Sequence, residues 1–136
     1  SMMYPADYGF IPETLALDGD PLDVLVLVNE PTFPGCVMEV KPIGVFHMAD
    51  DKGPDEKIIC VPVSDPIWNS LNDLSDINGH LLKEIEHFFQ VYKDLENKQV
   101  DVEGWGDVNE AFAIIAECTK RFNDIENKPE GLFSIK

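Results

Sequence analysis

The chain has 136 residues, 44% of them apolar, and sets 26 acidic side chains against 10 basic ones for a net charge of −16. That length suits one compact domain with a real core. The acidity excludes recognition of nucleic acid through a broad basic face and attraction to an anionic membrane, since both need clustered Lys and Arg.

Cys36, Cys60 and Cys118 are odd in number and have no CxxC spacing, so buried free thiols in a reducing cytoplasm are expected. No stretch approaches the roughly 20 apolar residues that span a bilayer. The opening SMMYPADYGF has neither the basic region nor the apolar run of a signal peptide.

In chain order, Pro5, Gly9, Pro12, Gly19, Pro21, Pro31, Pro34 and Gly35 punctuate the first part and predict short strands and turns. Residues 22–28, a valine-rich apolar run, predict a strand buried on both faces. Residues 36–48 predict a long strand or bent pair, interrupted by Pro42 and Gly44. Residues 57–63 predict a third strand, ended by Pro62 and Pro66. Apolar positions 77, 81, 82, 85, 88, 89, 92 and 95 then fall at helical spacing, with Asp76 or Asn78 available as cap. Residues 99–104 predict a fourth strand.

A second helix is expected over residues 107–122, with Val108, Ala111, Phe112, Ile115, Thr119 and Phe122 on one face. Asp107 with Glu110 three residues on makes a capping-box pattern. Strands first and helices later predict a single, mainly β domain over residues 1–136, a small barrel or sheet with flanking helices outside.

The stretch DGDPLD places Asp18, Asp20 and Asp23 around a turn forced by Gly19 and Pro21. Two carboxylates about 5 Å apart repel by roughly 3 kcal/mol at an effective dielectric of about 20. Protons or cations must therefore intervene if the acids converge. Two readings stand. A bare D-x-D-x-x-D spacing is most often a hydrated loop. Against that, Asp23 abuts the buried run, where an unpaired carboxylate is costly. An EF-hand loop fails, because Pro21 and Leu22 stand at the wrong positions and the terminal Glu is missing.

A second acidic turn, DDKGPDEK, sets Asp50 and Asp55 before Lys57. It reads either as a charged hairpin tip or as a second wall of ligands with Lys57 reaching a bound anion. All-oxygen ligation selects hard cations such as Mg²⁺ or Mn²⁺ over zinc, and such ions suit a polyphosphate. Tyr4, Tyr8, Tyr92, Lys57 and Lys93 are available donors around it, each with a plainer reading as a packing or surface residue. His47, His80 and His87 show no metal-binding spacing and read as packing or surface residues. No P-loop, dinucleotide fingerprint or nucleophile elbow is present.

These residues resemble the soluble family I inorganic pyrophosphatases of bacterial type. The blocks are YPADYGFIPET, DGDPLDVLV, PTFPGC, VKPIGVFHMADDKGPDEKIICVPV, HFFQVYKDLE and VEGW, covering nearly the whole chain. The resemblance implies an OB-type five-stranded β-barrel with flanking helices and Mg²⁺-dependent hydrolysis of pyrophosphate to two phosphates, with Mn²⁺ or another divalent cation as substitute. Matched position by position, it makes Asp18, Asp23, Asp55 and Asp50 metal ligands and gives Asp20 the attacking water's proton. Lys57, Tyr92 and Lys93 grip phosphate, with Tyr8 in the same pocket and Tyr4 near it.

It further implies a cytoplasmic homo-oligomer that engages neither nucleic acid nor membrane. Members carry a section before YPADY, with the first barrel strands and phosphate-binding Lys and Arg, that this sequence lacks. The expectation is thus a barrel incomplete at its N-terminus, exposed strand edges met by association with another copy, and activity lowered by the missing section. The competing expectation is a non-catalytic, acidic, metal-binding OB-like domain acting through self- or partner association.

Overall fold

The computed structural model describes residues 6–30, 32–96 and 101–126. Six strands and two long helices run in the order β1 (Ala6–Ile11), β2 (Leu22–Leu27), β3 (Val40–Asp50), β4 (Gly53–Pro54), β5 (Lys57–Pro62), α1 (Gly79–Glu96), β6 (Asp101–Gly106) and α2 (Val108–Glu126). They form one mixed sheet in the order β1-β2-β5-β3-β4, with β6 on the other side of β3. The β2–β5 pair is parallel and every other pair antiparallel. The sheet is mainly β with flanking helices as expected, but it does not close. Among the described residues β1 pairs only with β2, and β6 only with β3.

Both faces of the sheet are covered, which is why the central strands carry apolar residues at consecutive positions. Leu25, Leu27, Ile59, Val61 and Phe46 pack against Ile85 and Phe89 of α1. Phe46 stacks on Phe89 with ring centroids 5.3 Å apart and meets Trp105 of β6 at 4.6 Å. Leu22, Val24, Val26, Val45, Ile58 and Cys60 turn the other way, against Ala111 and Cys118 of α2.

The long β3 bends at Gly44, where the register to β5 shifts. An added Cβ there would lie 2.2 Å from Leu74 Cγ, so only glycine lets the short 3₁₀ turn Leu74–Asp76 close on the strand. Asn78, and not Asp76, caps α1: its Oδ1 accepts the His80 N–H at 2.9 Å and its carbonyl accepts from Leu81. The α2 capping box forms as expected. Glu110 N–H donates to Asp107 Oδ1 and Asp107 N–H to Glu110 Oε2, both at 3.0 Å.

Four expectations change. Strand β3 starts at Val40 instead of residue 36, because Pro34 and Gly35 hold a turn in which Cys36 N–H donates to Phe33 O. Cys36 is exposed on that segment, whereas Cys60 and Cys118 are buried. Phe112 is 52% exposed. The buried stripe of α2 runs through Ala111 and Cys118, and Phe112 lies one residue, about 100° of helix, off it. Strand β6 reaches Gly106, two residues beyond the predicted end, and residues 99 and 100 lie outside the described set. Among the described residues no helix is long and apolar enough to cross a membrane.

Candidate active site

The acidic loop between β1 and β2 is built from inside. Thr14, buried at its base, donates to Ile11 O and accepts the Leu22 N–H at 3.0 Å, tying the end of β1 to the start of β2. Ala16 N–H donates to Asp20 O at 2.8 Å and Gly19 N–H to Ala16 O at 3.1 Å, closing the turn. Gly19 takes φ of +90°, a left-handed conformation for which glycine is suited. Asp18 Oδ1 accepts the Asp20 N–H at 3.0 Å. Helix α2 clasps the loop from outside: Leu15 N–H donates to Cys118 O at 3.0 Å, and Arg121 Nη1 donates to Leu15 O at 2.7 Å.

Strand register then sets the charges face to face. Asp23 of β2 lies directly opposite Lys57 of the parallel β5. Asp55 precedes Lys57 by two residues and is held to β3 by its N–H bond to Met48 O at 2.8 Å. Tyr8 stands on β1 two residues from Phe10, the partner of Asp23, and so shares its face. As a result Lys57 Nζ donates to Asp23 Oδ2 and Asp55 Oδ1, both at 2.8 Å, and to the Tyr8 phenol oxygen. Tyr8 O–H donates in turn to Asp23 Oδ2 at 3.1 Å. Lys57 is only 5% exposed.

The electrostatics follow from this packing. Burial pushes the Asp55 carboxyl above the ordinary carboxylate range; Lys57 opposes the shift, and the charges of Asp23 and Asp18 add to it. Burial pulls Lys57 down, and the hydrogen bonds to Asp23, Asp55 and the Tyr8 oxygen oppose it by favouring the charged ammonium. Burial holds the Tyr8 phenol well above its usual value, so it stays a neutral donor.

The structure thus brings together Asp23, Asp55, Lys57 and Tyr8, while Asp18 is felt at Asp55 only through its charge. Asp20 is exposed on the loop, and Asp50 Oδ1 accepts the Lys52 N–H at 2.9 Å within the β3–β4 hairpin. Tyr4 lies outside the described residues, as do the side chains of Tyr92 and Lys93 on α1. Among the described residues no three His, Cys, Asp or Glu side chains are already gathered as a metal cage. The donor chemistry nevertheless fits a hard divalent cation. The nearby acids are all-oxygen donors, and Asp23 and Asp55 already share one cation, the Lys57 ammonium, at 2.8 Å each.

Sequence reasoning missed Thr14, Arg121 and the setting of His47. His47 of β3 bridges Glu56 (Nδ1 to Oε2, 2.8 Å) and Glu110 (Nε2 to Oε1, 3.3 Å), joining the sheet to the first turn of α2. No short-range spacing signals any of the three.

Comparison with known proteins places the chain in a family. The family model described as inorganic pyrophosphatase matches residues 1–123. The inorganic pyrophosphatase of Methanosarcina mazei is 56% identical over 124 residues, which are 91% of this chain and 73% of that protein. That of Synechocystis is 49% identical over 122 residues, 90% of this chain and 72% of that protein. Among solved structures, the inorganic pyrophosphatase of Thermus thermophilus superposes with a TM-score of 0.85 at 44% identity, over 90% of this chain and 72% of that one. The enzyme from Coxiella burnetii gives 0.83 at 46% identity, over 90% and 74%. In sequence and in fold, the chain belongs to the inorganic pyrophosphatase family.

Proposed function

We propose that this chain hydrolyses inorganic pyrophosphate to two phosphates with the help of Mg²⁺, Mn²⁺ or a similar divalent cation. The observation that carries the reading is the set of Asp23, Asp55, Tyr8 and a buried Lys57 joined at one sheet face, beside an Asp18 whose charge reaches Asp55. Asp18, Asp23 and Asp55 would hold the cations, with Asp50 joining Asp55 from the hairpin. Bound there, divalent ions supply charge neutralisation for a polyanionic substrate and lower the pKa of the attacking water.

The chain's own residues do the rest. Asp20, exposed on the loop tip, takes the proton from that water as a general base. Its backbone N–H donates to Asp18 Oδ1 at 3.0 Å, which ties the two residues into one turn. Lys57 offers a desolvated positive charge to a phosphate oxygen, and Lys93 and Tyr92 supply further donors from α1. Tyr8, protonated throughout the neutral range, orients both Asp23 and Lys57, and Tyr4 stands near it in sequence. A non-catalytic metal-binding module is not favoured, since relatives at about half identity carry the enzyme's name.

Free thiols at all three cysteines suit the reducing cytoplasm. The net charge of −16 opposes nucleic-acid binding. The test of function is phosphate release from pyrophosphate with Mg²⁺, lost in Asp23→Asn. A folded wild-type chain that releases no phosphate above background overturns the proposal.

A further inference from the structure

Lys57 holds a position that its role toward phosphate does not explain. An ammonium has three protons. Here one goes to Asp23, one to Asp55 and one to the Tyr8 oxygen. None is left for a substrate oxygen. The side chain is also almost wholly enclosed, with 6% of it exposed against 26% for Asp23 and 21% for Asp55. Its backbone cannot shift to free it, because Lys57 is locked on both sides, opposite Asp23 on β2 and Phe46 on β3. Whatever frees the ammonium must act on its partners.

Those partners are the carboxylates assigned to divalent ions. Asp23 Oδ2 and Asp55 Oδ1 are bonded to Lys57 at equal distances of 2.8 Å, so the ammonium already bridges the pair as a cation would. A dication on the same oxygens removes the attraction that keeps Lys57 there and adds a like-charge repulsion beside it. The long lysine stem can re-aim its head without disturbing the strand.

We propose that Lys57 is the resident counter-cation of the Asp23–Asp55 pair, that it yields this place when a divalent cation loads, and that the freed ammonium then becomes the phosphate ligand. The inference rests on the reading of the site as a pyrophosphatase centre and adds a coupling to it: cation loading creates a substrate contact, so the two bind in that order. Tyr8 serves as the pivot, since it bonds both Asp23 and Lys57 and keeps one end of the exchange in place.

Two measurements on the full chain test it. The first is acylation of lysine amines followed by mass spectrometry on wild-type protein, with and without Mg²⁺. Lys57 is expected to be protected in EDTA and to become modified several-fold faster with saturating Mg²⁺, while Lys120 stays unchanged. The second is calorimetric titration of Mg²⁺ into wild type and Lys57→Met, with thermal stability recorded in EDTA and in Mg²⁺. The variant is expected to bind Mg²⁺ roughly tenfold more tightly, as removal of a competing cation requires, and to regain in Mg²⁺ much of the stability it loses in EDTA. A purely structural lysine would lower stability equally in both.

Mg²⁺ binding to wild type with unchanged Lys57 labelling overturns this inference and leaves the functional reading standing. A folded wild type that binds neither Mg²⁺ nor Mn²⁺ removes both. If Lys57→Met does not fold, the wild-type labelling decides alone.

Discussion

Substitution of Gly44 by alanine is the sharpest test of how the sheet is held at its bend. The new Cβ would stand 2.2 Å from Leu74 Cγ, 2.5 Å from Cδ1 and 2.7 Å from Cδ2. Ordinary contact begins near 3.4 Å, so the closest pair must separate by about 1.2 Å. Leu74 has little room to withdraw. It is 8% exposed in the core beneath α1. Its turn is fastened by the Ile77 N–H to Leu74 O bond at 3.0 Å, and the neighbouring Asp73 Oδ1 accepts the first N–H of α2, Val108, at 3.0 Å. Overpacking at such a site costs about 1–3 kcal/mol, and the closeness of three atoms at once places Gly44→Ala in the upper half of that range. Leu74→Ala alone removes buried carbon and costs about 2–5 kcal/mol. In the double variant the alanine methyl occupies space that Leu74 has vacated, so the sum falls short of additivity by about 1–2 kcal/mol. Equilibrium urea unfolding of the four proteins measures each difference. A Gly44→Ala cost below about 0.5 kcal/mol, or a double variant additive within that margin, would refute the packing argument.

The three thiols should separate cleanly under a disulfide-exchange reagent. Cys36 is exposed and is expected to react at once. Cys60 is fully enclosed, with burial pushing its thiol up to about 12, so it should react only through unfolding; Cys118, also raised by burial and only partly relieved by Arg121, should follow it. Immediate labelling of Cys60 in the native protein would contradict the core described here. Asp73→Ala should destabilise the chain with a pH signature. The Val108 N–H, with help from Ser75, holds the Asp73 carboxyl below the ordinary carboxylate value. A depressed folded pKa gives stability that is full above the unfolded value and is lost as pH falls through the folded one. The difference in urea midpoint between wild type and variant should therefore be constant near neutrality and close in acid; a gap unaffected by acid would show that the charge plays no part.

Much of the architecture was legible because it is local. The valine-rich run became β2, and the Asp107–Glu110 spacing became a two-bond capping box because three residues of helix bring those groups together whatever surrounds them. Strand β1 was not legible. Ala6, Tyr8 and Phe10 share one face, yet Ala6 is buried while Tyr8 and Phe10 are exposed, so no period-2 signal separates inside from outside. Phe112 misled for the opposite reason, a large aromatic lying just off the stripe that burial selected. At the site, the acids could be named from spacing, but the closure of Lys57 on Asp23 could not. It depends on β2 and β5 lying parallel and in register across 34 residues of chain. Thr14, His47 and Arg121 were hidden likewise, since their polar partners come from other elements or from the backbone of a turn.

The clasp on the acidic loop has a consequence for biosynthesis. Arg121 reaches back to Leu15 across 106 positions of sequence. The ribosome thus releases the loop well before its fastening. A half-made polypeptide therefore presents its aspartates as a loose polyanion in bulk water, with neither the fixed spacing nor the shielding that tight ion capture needs. Competence arrives only when α2 docks on the loop, so maturation of the centre waits for a helix made 106 positions after the residue it fastens.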